Sequence, residues 1–152
     1  MMDQAAGPRF RDLTQDEIRE ILARNRVGRL AFSFRDHVEI QPLHYVFDRE
    51  WLFGRTSDGE KLASLRHNWW VAFGVDEVEG PFDWRSVMVR GGFYRLDTGG
   101  PPDTRVLYDR AMACIRRVMP DALTDEDPVP FRTVVFGVAV QHVSGRVATT
   151  AI

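Results

Sequence analysis

The chain has 152 residues, a formal net charge of -2 and a pI near 6.1; its arginines are scattered among acids, so there is no basic stripe to track a nucleic-acid backbone. That length suits one domain with a proper core and is short for two. The lone Cys114 excludes an internal disulfide, a cysteine zinc cluster and a c-type haem attachment; with no signal-peptide core and no long uncharged apolar run, the expectation is a cytoplasmic protein without a membrane or nucleic-acid partner.

Residues 1 to 12 are polar, contain Gly7 and Pro8 and show no period, which predicts a flexible arm ahead of a single domain over 13–152. Thr14 and Glu17 form a capping box, Leu13 and Ile18 occupy the positions of a hydrophobic staple, and Ile18, Ile21 and Leu22 give a short helix its apolar stripe. From Val27 to Phe34 the period becomes two, which predicts a half-buried strand. A second strand is expected over Val38 to Phe47 and a third over Trp51 to Arg55, the three forming a meander. Pro42 cannot donate to a ladder, so the middle strand is expected at an edge, bulged, or opened toward something other than a strand.

A short helix is expected over Lys61 to Asn68 and a strand over Trp69 to Asp76, where adjacent Trp69 and Trp70 must point to opposite faces. Alternation resumes from Trp84 to Val89, and Gly91-Gly92 predicts a bulge before Phe93 to Leu96. A helix opens near Asp103, buries Leu107, Ala111, Cys114, Ile115 and Val118, and stops at Pro120. After a polar connection, Phe131 to Val143 reads as a long strand, apolar on both faces and therefore central. The sum is a mainly β fold: a largely antiparallel six-stranded barrel with about three helices.

The stretch Arg55-Thr56-Ser57-Asp58-Gly59-Glu60-Lys61 has the parts of a phosphate socket. Arg55 offers a fork, Thr56 and Ser57 offer hydroxyls, Gly59 permits a tight turn, and Lys61 brings a compact charge to the first turn of a helix. Of the chain's 20 Lys and Arg residues, Lys61 is the only lysine. The same residues also suit a plain solvated turn. No spacing marks His37, His44, His67 or His142 as metal ligands.

The ordered set Val27-Gly28-Arg29-Leu30-Ala31-Phe32, Gln41-Pro42-Leu43-His44-Tyr45-Val46-Phe47-Asp48, Arg55 to Lys61, Trp84-Arg85-Ser86-Val87 and Ser144-Gly145-Arg146 resembles the pyridoxamine 5'-phosphate oxidase-like superfamily of FMN-binding split β-barrels, and within it the nitroimidazole-reductase-like branch. The resemblance spans about residues 13 to 147. It implies a homodimer with FMN at the subunit interface. Arg55, Thr56, Ser57 and Lys61 would hold the phosphate, and backbone around Gln41, Pro42 and Leu43 would border the ring. Trp84, Arg85, Ser86 and Val87 would reach the flavin from the partner subunit. Arg85 is the candidate for the electron-rich pyrimidine edge, where a cation raises the reduction potential, with an ordinary surface arginine as the alternative. His44 would handle substrate, its alternative being a satisfied, half-buried imidazole. Trp84 could equally be a core or interface aromatic.

The chain departs from true pyridoxamine-phosphate oxidases. It has apolar Val38 to Phe47 where those enzymes carry an Arg/Lys-rich strand, and it lacks their closing Arg-Leu-Pro tail, which puts vitamin-B6 oxidation in doubt. No Gly-x-Gly-x-x-Gly follows a strand, so a nicotinamide donor would dock only transiently. The expectation is therefore an FMN-dependent oxidoreductase acting on a small planar acceptor such as a nitro-heteroarene. The alternatives are a non-catalytic binder of flavin, haem or a deazaflavin, and an apo structural dimer.

Overall fold

Thr14 starts helix α1 (Gln15–Arg24) as its capping box predicts: its hydroxyl accepts the Glu17 N–H at 3.2 Å and the Glu17 carboxylate accepts the Thr14 N–H at 3.0 Å. Leu13 and Ile18, the two staple positions, are both buried. The computed structural model describes residues 7–59, 62, 63, 65, 69–99 and 101–150. Among these, strands β1 (Pro8–Asp12), β2 (Val27–Phe34), β3 (His37–His44), β4 (Val46–Asp48), β5 (Trp51–Thr56), β6 (Trp70–Gly80), β7 (Asp83–Leu96) and β8 (Val134–Thr150) accompany α1 and one further helix, α2 (Pro102–Val118).

The strands form one antiparallel sheet in the order β3-β2-β6-β7-β8-β5-β4, with β1 paired to β8. Because β3 and β4 are consecutive in the chain yet end opposite sides of that path, the sheet curls until its ends meet without pairing. This is a split barrel, mainly β as the sequence predicts. β8 is central, paired to β1, β5 and β7, and is buried on both faces from Val134 to Val138.

Several element boundaries differ from expectation. Pro8–Asp12 is an edge strand and not an arm; all five residues are exposed, so no apolar period could reveal it. The stretch Val38 to Phe47 breaks at Tyr45, whose side chain turns inward while its N–H bonds the Arg26 carbonyl at 2.9 Å. β5 therefore leaves β2 and β3 to join β8, and no meander forms. The two strands expected either side of Gly91-Gly92 are one strand, β7, with the register shift between Arg90 and Gly91. A Cβ on Gly91 would lie 1.7 Å from the Ala139 carbonyl oxygen, so the bulge needs glycine there. Most of the helix expected over 61–68 lies outside the described residues.

Two cores flank the sheet. The inward faces of β2, β5, β6, β7 and β8 bury Leu30, Phe73, Val89, Phe93, Phe136 and Val138 inside the barrel, with Ile18, Ile21 and Leu22 of α1 closing one end. The outward faces of β5, β7 and β8 bury Phe53, Leu96 and Val135 against Ala111, Met112 and Ile115 of α2. Alternation thus sends successive residues of β5 into different cores.

Candidate functional site

The split in the barrel is a cleft of about 440 Å³, a volume within the range of small-molecule sites. Leu30, Phe32, Phe34 and Leu43 line it from β2 and β3, and Phe93 lines it from β7. Its polar groups gather at Gln41 and at the turn Thr56, Ser57, Asp58 and Gly59. One long wall is apolar and one end carries an amide and hydroxyls, which suits a flat aromatic body with a polar tail.

β3 supplies the amide and part of the apolar wall because Gln41 and Leu43 share its inward face, with Gln41 opposite Leu30 and Leu43 opposite Gly28. A Cβ on Gly28 would meet the Phe73 ring at 2.1 Å, so glycine lets the strands close up beneath the cleft. Pro42 and His44 project to the other side and are exposed. Pro42 sits on a strand at the end of the ladder path, an edge position of the kind its missing N–H predicts. His44 instead borders a different cavity, shared with Tyr45, Phe53 and Met119, and does not line the cleft of its own chain.

Arg55 requires the larger correction. β5 continues through Thr56, so the two residues face opposite sides. Thr56 turns to the cleft. Arg55 lies on the α2 side with its side chain 6% exposed, and its guanidinium makes a two-point ion pair with Asp127, one arm of it at 2.8 Å. The Asp127 carboxylate also accepts the N–H groups of Leu123 at 2.8 Å and Val129 at 3.0 Å. Hydrogen bonding from Arg55 comes first, and with these N–H groups it holds the Asp127 carboxyl well below the usual carboxylate range, against the opposing effect of burial. Arg55 is thus a structural cation committed to another partner. Lys61 lies outside the described residues.

Trp84, Arg85, Ser86 and Val87 contribute nothing to the cleft of their own chain. Trp84 and Ser86 project from the outer face of β7; Trp84 lies against the Phe10 ring with centroids 6.2 Å apart, and Ser86 donates to Asp76 at 2.5 Å. Val87 is 1% exposed in the barrel core, so its side chain contacts no ligand outside that core. Arg85 lies opposite Glu77. Glu77 is itself held down to about 2, mainly by hydrogen bonding from Arg24.

Sequence reading missed the phenylalanine wall of the cleft and the anchor at Asp127. The first signal was available, since Phe32 and Phe34 share a face by alternation. Asp127 sits in an aperiodic polar stretch and carries no such signal. Among the described residues no group of three or more His, Cys, Asp or Glu side chains could hold a metal ion, and no helix is long and apolar enough to cross a membrane.

A family model for pyridoxamine 5'-phosphate oxidase matches residues 14–147. The chain belongs to this family. A search of curated proteins finds no match. Among solved structures, this pyridoxamine 5'-phosphate oxidase family member is similar to an FAD-binding protein from Mesorhizobium loti, with 27% identity, 90% of this chain and 96% of that one covered, and a TM-score of 0.70. Two others share the fold. One, from Bacteroides thetaiotaomicron, is provisionally assigned to 5-nitroimidazole antibiotic resistance, with 16% identity, 94% and 89% coverage and a TM-score of 0.68. The other is an FAD and haem binding protein from Mycobacterium smegmatis, with 16% identity, 90% and 72% coverage and a TM-score of 0.65.

Proposed function

We propose that the chain is a flavin-dependent oxidoreductase that holds FMN, or a flavin nucleotide like it, in the cleft at the barrel split and reduces a small planar acceptor such as a nitro-heteroarene. The observation that carries this reading is the cleft itself, with its phenylalanine wall and its hydroxyl-bearing end, in a chain of this family. The residues present fit the ring: Phe32, Phe34 and Phe93 give it apolar cover and Gln41 offers both a donor and an acceptor; Thr56 and Ser57 offer hydroxyls to a phosphate, whose cation must come from beside this lining. When bound, the flavin supplies two-electron transfer to the acceptor. The chain's own part is to exclude water with its aromatic wall and to orient the ring through Gln41.

We further propose a homodimer. The outer face of β3, β2, β6 and β7 leaves Val38 81%, Ile40 63%, Val78 70% and Met88 43% exposed, interspersed with small Ala31, Ala72 and Gly74. Such a patch on a flat sheet supports a subunit interface. Trp84 and Ser86 lie on the same face, where a second copy's cleft could meet them.

A second reading, a non-catalytic binder of flavin, haem or a deazaflavin, draws on the structural likeness to the FAD and haem binding protein. The lining favours flavin over haem, since among the described residues the cleft presents no His, Cys, Met or Tyr to ligate an iron.

The test is the visible spectrum of the purified protein, identification of any released chromophore, and anaerobic reoxidation of the reduced protein. FMN near one per chain, reoxidised faster by a nitro-heteroarene than in its absence, is the expected result. Binding without acceleration selects the binder, and failure to take up FMN or FAD removes the flavin reading.

A further inference from the structure

This inference rests on the flavin reading and concerns where the nucleotide's phosphate is held. A phosphate dianion needs a cation; of the two expected, Arg55 is turned away and occupied by Asp127, and Lys61 lies outside the described residues. Among the described residues lining the cleft none is cationic, and one, Asp58, is an acid that would repel phosphate.

Register identifies the group that can offset this. In β7, Phe93 and Arg95 share the inward face, and Arg95 pairs through Phe136 of β8 with Gly54 of β5. The next inward position along β5 is Thr56, which lines the cleft. Arg95 also borders a small adjoining cavity whose other walls, Leu62, Leu65 and Phe93, are walls of the cleft as well. Its guanidinium already reaches the turn, with Nη1 3.6 Å from the Asp58 carboxylate. That distance is an ion pair too long for a hydrogen bond, and both side chains are solvated, at 39% and 64% exposure. Little holds Arg95 to Asp58, and a dianion beside Thr56 and Ser57 would compete for it well.

We infer that Arg95, and not Arg55, is the arginine that binds the flavin phosphate, with Asp58 holding its place until the nucleotide arrives. Arg95 stabilises the phosphate directly and screens it from Asp58.

The experiment compares FMN with riboflavin, which carries the ring without the phosphate, by fluorescence titration of the full chain. Wild type is expected to prefer FMN. Arg95→Ala should weaken FMN binding about tenfold, the low end for a charge-assisted hydrogen bond because the site is solvated, and should leave riboflavin within about twofold of wild type. Arg95→Lys should recover part of the loss. Asp58→Asn, a change at an exposed side chain, should tighten FMN and leave riboflavin unchanged. An Arg95→Ala protein that keeps the wild-type preference for FMN overturns the inference while the flavin reading stands. Equal loss of FMN and riboflavin overturns it too, since the phosphate would not be what Arg95 touches. A wild-type chain that binds neither flavin removes the flavin reading and this inference together.

Discussion

Arg55 and Asp127, 72 positions apart, meet in a two-point ion pair buried between β5 and the connection that follows α2. The same carboxylate accepts two N–H groups of its own loop, so Asp127 pins residues 121–132 to the barrel. Such a pair is expensive to break by halves, because the surviving charge stays buried without its partner. Replacing Arg55 by Ala is expected to lower the melting temperature by on the order of 10 °C. A double Arg55→Met, Asp127→Leu variant should recover a large part of that loss. Thermal unfolding followed by circular dichroism measures both. An unchanged midpoint in Arg55→Ala would show that the pair is not closed in solution.

How far the sequence revealed this site depends on how local each signal is. The Thr14–Glu17 capping box is complete within four residues and is found as read. The edge position of Pro42 and the bulge at Gly91 follow from what those residues cannot or need not do on a strand. Arg55 and Thr56 show the limit. Their chemistry reads as one socket, yet β5 extends through both and period two separates them; the alternation of Trp51, Phe53 and Arg55 on one face was the available warning. Nothing local marks Asp127 as a buried anchor, because only the tertiary fold brings Arg55 to it. β1 was hidden for the opposite reason, being exposed on both faces.

The acid limb of stability follows from the carboxylates. Asp127 is held below the ordinary range mainly by Arg55, and Glu77 is held down to about 2 mainly by Arg24. In both, the folded form binds fewer protons than the unfolded one between the two values. Their contribution is therefore complete above the unfolded carboxylate range of about 4 and is lost as pH falls from there toward the folded values. Denaturant midpoints are expected to be level from pH 7 to 5 and to fall steeply below about 4. In Glu77→Gln the fall should be shallower. A wild-type midpoint that stays level down to pH 2 would contradict the assignment.

Tyr45 closes the end of α1 from inside the barrel. Its hydroxyl donates to the Leu22 carbonyl at 2.8 Å, one of the last-turn acceptors that a helix cannot satisfy itself, and burial pushes the phenol well above its usual value. Tyr45→Phe keeps the packing against Phe73, with ring centroids 5.2 Å apart, and removes only that bond. The expected cost is about 1 kcal/mol, read by urea titration with an unchanged slope. A loss much above that would mean that the ring had moved as well.

The β2–β3 hairpin contains strain that a single substitution can relieve. Phe34 pairs with His37, leaving a loop of Arg35 and Asp36, both at positive φ, 49° and 62°. Two-residue loops of this hand favour glycine at the second position, where an L side chain crowds its own backbone. Asp36→Gly should therefore stabilise the chain by about 0.5 to 1 kcal/mol even though glycine gains more freedom when unfolded, because the native strain removed is the larger effect. Asp36→Val, β-branched at the same φ, should destabilise it. The hairpin carries Gln41 and Leu43 at its far end, so under the proposed flavin reading FMN affinity in Asp36→Gly should not fall. A Gly variant less stable than wild type would show that the Asp36 side chain contributes more to the native hairpin than its backbone strain costs.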